Sequence, residues 1–222
     1  SQIAEQNERD QHIRFRIGID DGLMWSESEP EISEICLNAL RELENEDCEL
    51  VSFEFPQAKR AVDMRNLGGP VSVELIEFLN SELPEWFDAL DPVIRQRIKM
   101  GGDISAIEYL RRVREIKSAR KEVKEIFHAI DIIASPTVPI SPPLLSEVSS
   151  PENYMKKNLL SLQNTTVGSF LNLCAITVPV GLDRFGMPVG LQFMTRAGSE
   201  LFLLALGLRI EKIVRDQKRM PF

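Results

Sequence analysis

At 222 residues, 43% of them apolar, the chain is long enough for one large domain or two small ones with a real core. Its 34 acidic against 26 basic residues give a formal net charge of -8, which argues against a general nucleic-acid binder, because that role needs a basic surface to displace counterions. No apolar run reaches the roughly 20 residues of a membrane span, and the leader SQIAEQNERDQHIRF is too polar for a signal peptide.

Residues 1–12 read as a polar leader or linker, with residues 13–222 as the folded portion. RFRIGID alternates and predicts a strand through Phe15, Ile17 and Ile19. In the next segment, Ser28 and Glu31 have the spacing of a capping box around Pro30. Ile32, Ile35, Cys36, Ala39, Leu40 and Leu43 then fall on one helical face. CELVSFEF alternates again. Strand, helix and strand in about 40 residues make a βαβ unit with parallel strands.

QAKRAVDMRNL and PVSVELIEFLNSEL read as short helices separated by Gly68, Gly69 and Pro70, and Asp91-Pro92 opens a third. The longest helix is expected from about Ile104 to His128. Its apolar face would hold Ile107, Leu110, Val113, Ile116, Val123, Ile126 and Phe127, and its basic face reads as solvated surface. DIIASPTVP predicts a short buried strand, followed by an irregular proline-rich loop. A helix is expected from about Asn158 to Leu173, then the hairpin ITVPVGL–PVGLQFMT around residues 183–186, then a last amphipathic helix. The fold class is therefore α/β, a mixed β-sheet flanked by helices; the parallel pair and the hairpin need not be neighbours.

The residues alone assemble no reactive centre. The two histidines, His12 and His128, lie far apart, and Cys36, Cys48 and Cys174 lack metal-ligand spacing, so neither a metal site nor any other cofactor is expected. An odd cysteine number fits a reducing cytoplasm. There is no G-x-S-x-G elbow, phosphate loop or dinucleotide glycine pattern. Asp20 and Asp21 read as solvated turn residues, and Cys174, in the apolar context NLCAITV, as a small buried hydrophobe.

Several segments, in order, resemble the C-terminal half of the amidase signature family. They are RFRIGIDDGLMWSESEPEISEICLNALRELE, LDPVIRQRIKMGGDISAIEYLRRVREIKSARKEV, DIIASPTVPISPP and QNTTVGSFLNLCAITVPVGLDRFGMPVGLQFMTRAGSELFLLALG. The LCA before the strand is faintly similar to allophanate hydrolase-type members. Ser169 stands where the family usually has Asn, Asn172 where Gly is usual and Cys174 where Pro is usual.

The resemblance implies the C-terminal half of the amidase signature fold, in a hydrolase of amide bonds with a Ser–cis-Ser–Lys centre. Those catalytic residues belong to a Gly/Ser-rich stretch of the family's N-terminal half. Nothing here resembles that stretch, so no catalytic residue is carried over and the isolated chain is expected to be inactive. The resemblance does imply a substrate wall at Asn164, Thr165, Gly168 and Ser169, where a hydroxyl near a helix start meets a polar substrate group and small residues leave room. Capping or bracing its helix is the alternative role of Thr165. Arg97 matches an arginine that approaches substrate in some members; a surface or ion-paired role is its alternative. The implied partner is a small-molecule amide. A non-catalytic binding or assembly module, including a homo-oligomer, is the competing interpretation, because a missing half would leave a sheet edge bare.

Overall fold

The computed structural model describes residues 15–46 and 48–216; the polar leader and His12 lie outside the described residues. The strands are β1 (Phe15–Asp20), β2 (Cys48–Phe53), β3 (Ile132–Pro136), β4 (Cys174–Leu182) and β5 (Pro188–Thr195). The helices are α1 (Leu23–Ser26), α2 (Pro30–Glu46), α3 (Pro56–Asn66), α4 (Val71–Glu82), α5 (Pro92–Gly102), α6 (Ala106–Ile126), α7 (Pro151–Ser161), α8 (Gln163–Leu171) and α9 (Glu200–Asp216).

All five strands form one sheet in the order β2-β1-β3-β5-β4. β1 and β2 run parallel from Phe15↔Cys48 to Asp20↔Phe53, as a βαβ unit requires. β3 lies parallel to β1 and antiparallel to β5, so it joins the parallel pair to the hairpin in one mixed α/β sheet.

The two faces of the sheet are packed differently. On one face, the predicted α2 stripe of Ile32, Cys36, Ala39, Leu40 and Leu43 meets Val178, Leu191 and Phe193, together with Leu203, Leu206 and Ile210 of α9. Helix α9 lies so close to β4 that a Cβ on Gly207 would sit 2.6 Å from Ile176 Cδ1. On the other face, α3, α6 and α8 pack through Ala58, Val62, Ala119, Val123 and Val167 onto Ile133 of β3 and Met194 of β5, with Val51 and Phe53 of β2 against the same cluster. This layer stops before β4, whose Ala175, Thr177 and Pro179 on that side are exposed.

Four expectations are corrected. The Ser28/Glu31 capping box does not form. Instead, Ser28 Oγ donates to the Met24 carbonyl, and Glu31 Oε1 accepts from the Arg184 backbone N–H at 2.8 Å, tying α2 to the hairpin loop. The long helix is capped by Ser105 and runs over Ala106–Ile126, with Arg112, Ala119 and Val123 buried. Ile107 and Leu110 are 82% and 55% exposed, off the face that buries Arg112, Ala119 and Val123.

The segment expected as one helix from Asn158 is two, α7 and α8, broken at Leu162. The first begins early because Ser150 accepts from Asn153 N–H with Pro151 at the first helical position. Finally, Asp20 is no solvated turn residue. It is 3% exposed, and burial pushes its carboxyl upward against the lowering effect of backbone N–H groups of Gly22, Met24 and Phe55.

Candidate active-site wall

Helix α8 carries four of the five sequence-derived site residues, and its period sorts them onto two sides. Asn164 and Gly168 turn inward. Asn164 is fully buried; its Nδ2 donates to the Met24 carbonyl at 2.9 Å and to the Pro136 carbonyl at 2.7 Å. One amide thus ties α8 to α1 and to the end of β3. Its Oδ1 is buried without a hydrogen-bond partner among the described residues. Gly168 lets the helix sit on the sheet: a Cβ there would lie 3.3 Å from Met194 Sδ.

Thr165 and Ser169 turn outward, Thr165 half-buried and Ser169 exposed. Their hydroxyls donate back along the chain, Thr165 Oγ1 to the Leu162 carbonyl and Ser169 Oγ to the Thr165 carbonyl, both at 3.1 Å. Each hydroxyl oxygen keeps acceptor capacity toward the outside. Arg97 sits on α5, which packs against α4 so tightly that a Cβ on Gly101 would strike the Ser72 carbonyl group. The Arg97 side chain lies outside the described residues.

Sequence reasoning missed the strip of polar side chains beside α8, on the same sheet face as Met194. Gln192 Nε2 donates to Ser135 Oγ at 3.3 Å, and both residues are buried. Thr137 and Thr177 pair through their hydroxyls at 3.1 Å across β5. Gly190 permits this: a Cβ there would lie 2.6 Å from Thr177 Cγ2 and 3.0 Å from Thr137 Oγ1. The signal was present as polar residues alternating with apolar ones in ASPTVP, ITVPV and VGLQF.

The departures at 172 and 174 have local explanations. Asn172 ends α8 in the left-handed region at φ 57°, a conformation Gly adopts freely and Asn tolerates. Cys174 is half-buried rather than buried, and its thiol donates to Glu200 Oε1 at 3.2 Å. The Glu200 backbone N–H first, then that thiol bond and the Gly198 N–H, hold the Glu200 carboxyl below its usual range. His128 is exposed and 3.5 Å from Glu125. A cavity of about 650 Å³ lined by Arg120, Phe127, Leu171 and Arg196 adjoins the C-terminal end of α8, not the end that carries Asn164. No cluster of His, Cys, Asp or Glu among the described residues could hold a metal, and no helix among them is long and apolar enough to cross a membrane.

The Amidase family model matches residues 2–204. The 2-amino-5-chloromuconic acid deaminase of Comamonas testosteroni is 33% identical over 200 residues, covering 90% of this chain and 43% of that protein. The fatty acid amide hydrolase of Medicago truncatula is 26% identical over 224 residues, covering 99% of the chain and 36% of the relative. The chain therefore spans less than half the length of these curated relatives. Among solved structures, 6-aminohexanoate cyclic dimer hydrolase with substrate superposes with a TM-score of 0.77 at 18% identity, over 99% of this chain and 49% of that one. Kluyveromyces lactis allophanate hydrolase superposes with a TM-score of 0.75 at 21% identity, over 93% of this chain and 33% of that one. The mixed sheet, its helical layers and the match through nearly the whole sequence lead to one assignment: the chain belongs to the Amidase family.

Proposed function

We propose that residues 13–222 are the C-terminal portion of an amide-bond hydrolase, joined by the polar leader to an upstream half that supplies a Ser–cis-Ser–Lys centre. In this account the chain contributes sheet and substrate wall but no catalytic residue. The observation that carries it is the Amidase match through residues 2–204 in a chain spanning 43% of its Comamonas relative.

Thr165 and Ser169 on α8, with Thr137 just past the end of β3 and Thr177 on β4, present hydroxyls to a small amide. Asn164 holds the helix that presents two of them, Gly168 lets that helix seat, and Arg97, carried by α5, is the fifth residue of the proposed wall. On this reading the wall needs no resident cofactor or metal, and Cys36, Cys48 and Cys174 form no disulfide with one another, as suits a reducing cytoplasm.

The test joins the chain to its upstream half and offers a panel of primary and alkyl amides together with 2-amino-5-chloromuconic acid. Release of ammonia or amine is expected from the joined protein and not from the chain alone. A folded, joined protein that turns over no member of the panel would refute the proposal.

One observation favours a second reading, an assembly module without chemistry: the outer edge of β4 has no partner strand among the described residues, and Ala175, Thr177 and Pro179 are exposed beside it. Light scattering separates the two. A discrete dimer of the chain supports the module, whereas ill-defined association supports a severed half.

A further inference from the structure

Arg65 and Arg112 are both 8% exposed, yet they are used differently. Arg112 stays within the helical layer, donating to Glu108 and to the Leu67 carbonyl, each at 2.7 Å. Arg65, on α3, reaches 101 residues along the sequence to the break between α7 and α8. Its Nη2 donates to the Leu159 carbonyl in the last turns of α7 at 2.8 Å, and its Nη1 to Thr166 Oγ1 in the first turn of α8 at 3.1 Å.

Between those anchors lies Leu162, at φ -93° and ψ -1°. Its carbonyl is shared by three donors: Thr166 Oγ1 at 2.7 Å, Thr166 N–H at 3.0 Å and Thr165 Oγ1 at 3.1 Å. The guanidinium, the Thr166 hydroxyl, the Leu162 carbonyl and the Thr165 hydroxyl thus form one connected chain of hydrogen bonds. A carbonyl has two lone pairs, so a change in one donor redistributes the others. Arginine suits the position because its planar fork makes both directed bonds at once, which a lysine ammonium does not.

We propose that Arg65 is a positioning residue: by holding Leu159 and Thr166 together it fixes the bend at Leu162 and aims the Thr165 hydroxyl at the substrate. This inference rests on the proposal that α8 is a substrate wall. Local sequence cannot set that aim, since Leu162 has no side-chain cap and the constraint comes from α3.

The experiment is a double-mutant cycle in the chain joined to its upstream half, with KM and kcat read on the best amide of the panel. Thr165→Val removes a contact made in both ground and transition states, so KM rises about fivefold with kcat roughly unchanged. Arg65→Met raises KM by a similar factor, and the double variant is no worse than Thr165→Val alone. Arg65→Lys recovers only part of the loss. Arg112→Met, a buried arginine of equal exposure, leaves KM unchanged.

Thr166→Val breaks the same relay without touching the charge, and it shows the same non-additivity even if Arg65→Met folds poorly. Multiplication of the Thr165→Val effect by either Arg65→Met or Thr166→Val would overturn the positioning role while leaving the wall intact. An unchanged KM in Thr165→Val overturns the wall itself, and the positioning role with it.

Discussion

The two faces of the sheet obey different rules. The face under α2 and α9 is closed: Leu40, Leu43, Leu191, Phe193 and Ile210 are fully buried there, and each strand contributes alternate apolar residues to it. The opposite face is closed only as far as β5. Beyond α8 it carries hydroxyls and an amide, then runs bare onto Ala175, Thr177 and Pro179 of β4. The closed face explains why the chain folds. The half-open face holds the polar groups that an apolar core excludes unless they are paired or used. If the polar strip is the proposed substrate wall, substitutions of its exposed hydroxyls should separate from substitutions in the closed face.

The largest loss of stability belongs to the closed face. Phe193→Ala empties a fully buried site and is expected to cost about 3–5 kcal/mol in denaturant unfolding. Asn164→Ala comes next, because it strips two carbonyls, those of Met24 and Pro136, of their shared donor in a buried setting. A loss of about 2 kcal/mol is expected, and one much nearer zero would mean that water replaces the amide.

Asn172→Ala forces a β-carbon without a local hydrogen-bonding side chain into the left-handed region, costing about 1 kcal/mol; Asn172→Gly restores most of it. Thr177→Val, on the bare face, should change stability by less than about 0.5 kcal/mol while affecting substrate use. Equal costs for Phe193→Ala and Thr177→Val would erase the distinction between the faces.

A pH titration gives the smallest expected effect. Hydrogen bonds from Arg111 and Arg112 hold the Glu108 carboxyl at about 2, against 4.5 when free. Because its folded pKa is depressed, its contribution is present above about 4.5 and fades as pH falls toward about 2. Glu108→Gln should therefore narrow its stability difference from the parent chain across that window, and a difference independent of pH would contradict the pairing. Solvent around this exposed group keeps the effect small.

The closed face was legible in the sequence because its signals are local. Ile32 to Leu43 repeat at helical spacing, β1 and β2 alternate, and Asp91-Pro92 opens α5 as read. The unread parts depend on contacts distant in sequence. Nothing near Leu162 announces a break; the break is held by Arg65 from α3. Nothing near Ile107 tells that the first turn of α6 leaves it exposed. Asn164 was singled out only through the family resemblance, and its inward turn follows from carbonyls 140 and 28 residues away. The threonine pair across Gly190 was hidden for the same reason: Thr137 and Thr177 are 40 residues apart and meet only once β5 lies between them.

The central claim is that this chain is the substrate-bearing, chemically silent portion of an amidase. The most direct measurement is amide turnover by the 222-residue chain alone and joined to its upstream half, each with and without Thr165→Val. No hydrolysis is expected from the chain alone, hydrolysis is expected from the joined protein, and Thr165→Val should raise KM with little change in kcat. Turnover by the chain alone that vanishes with Cys174→Ala or His128→Ala would contradict it, as would a folded joined protein that cleaves no amide.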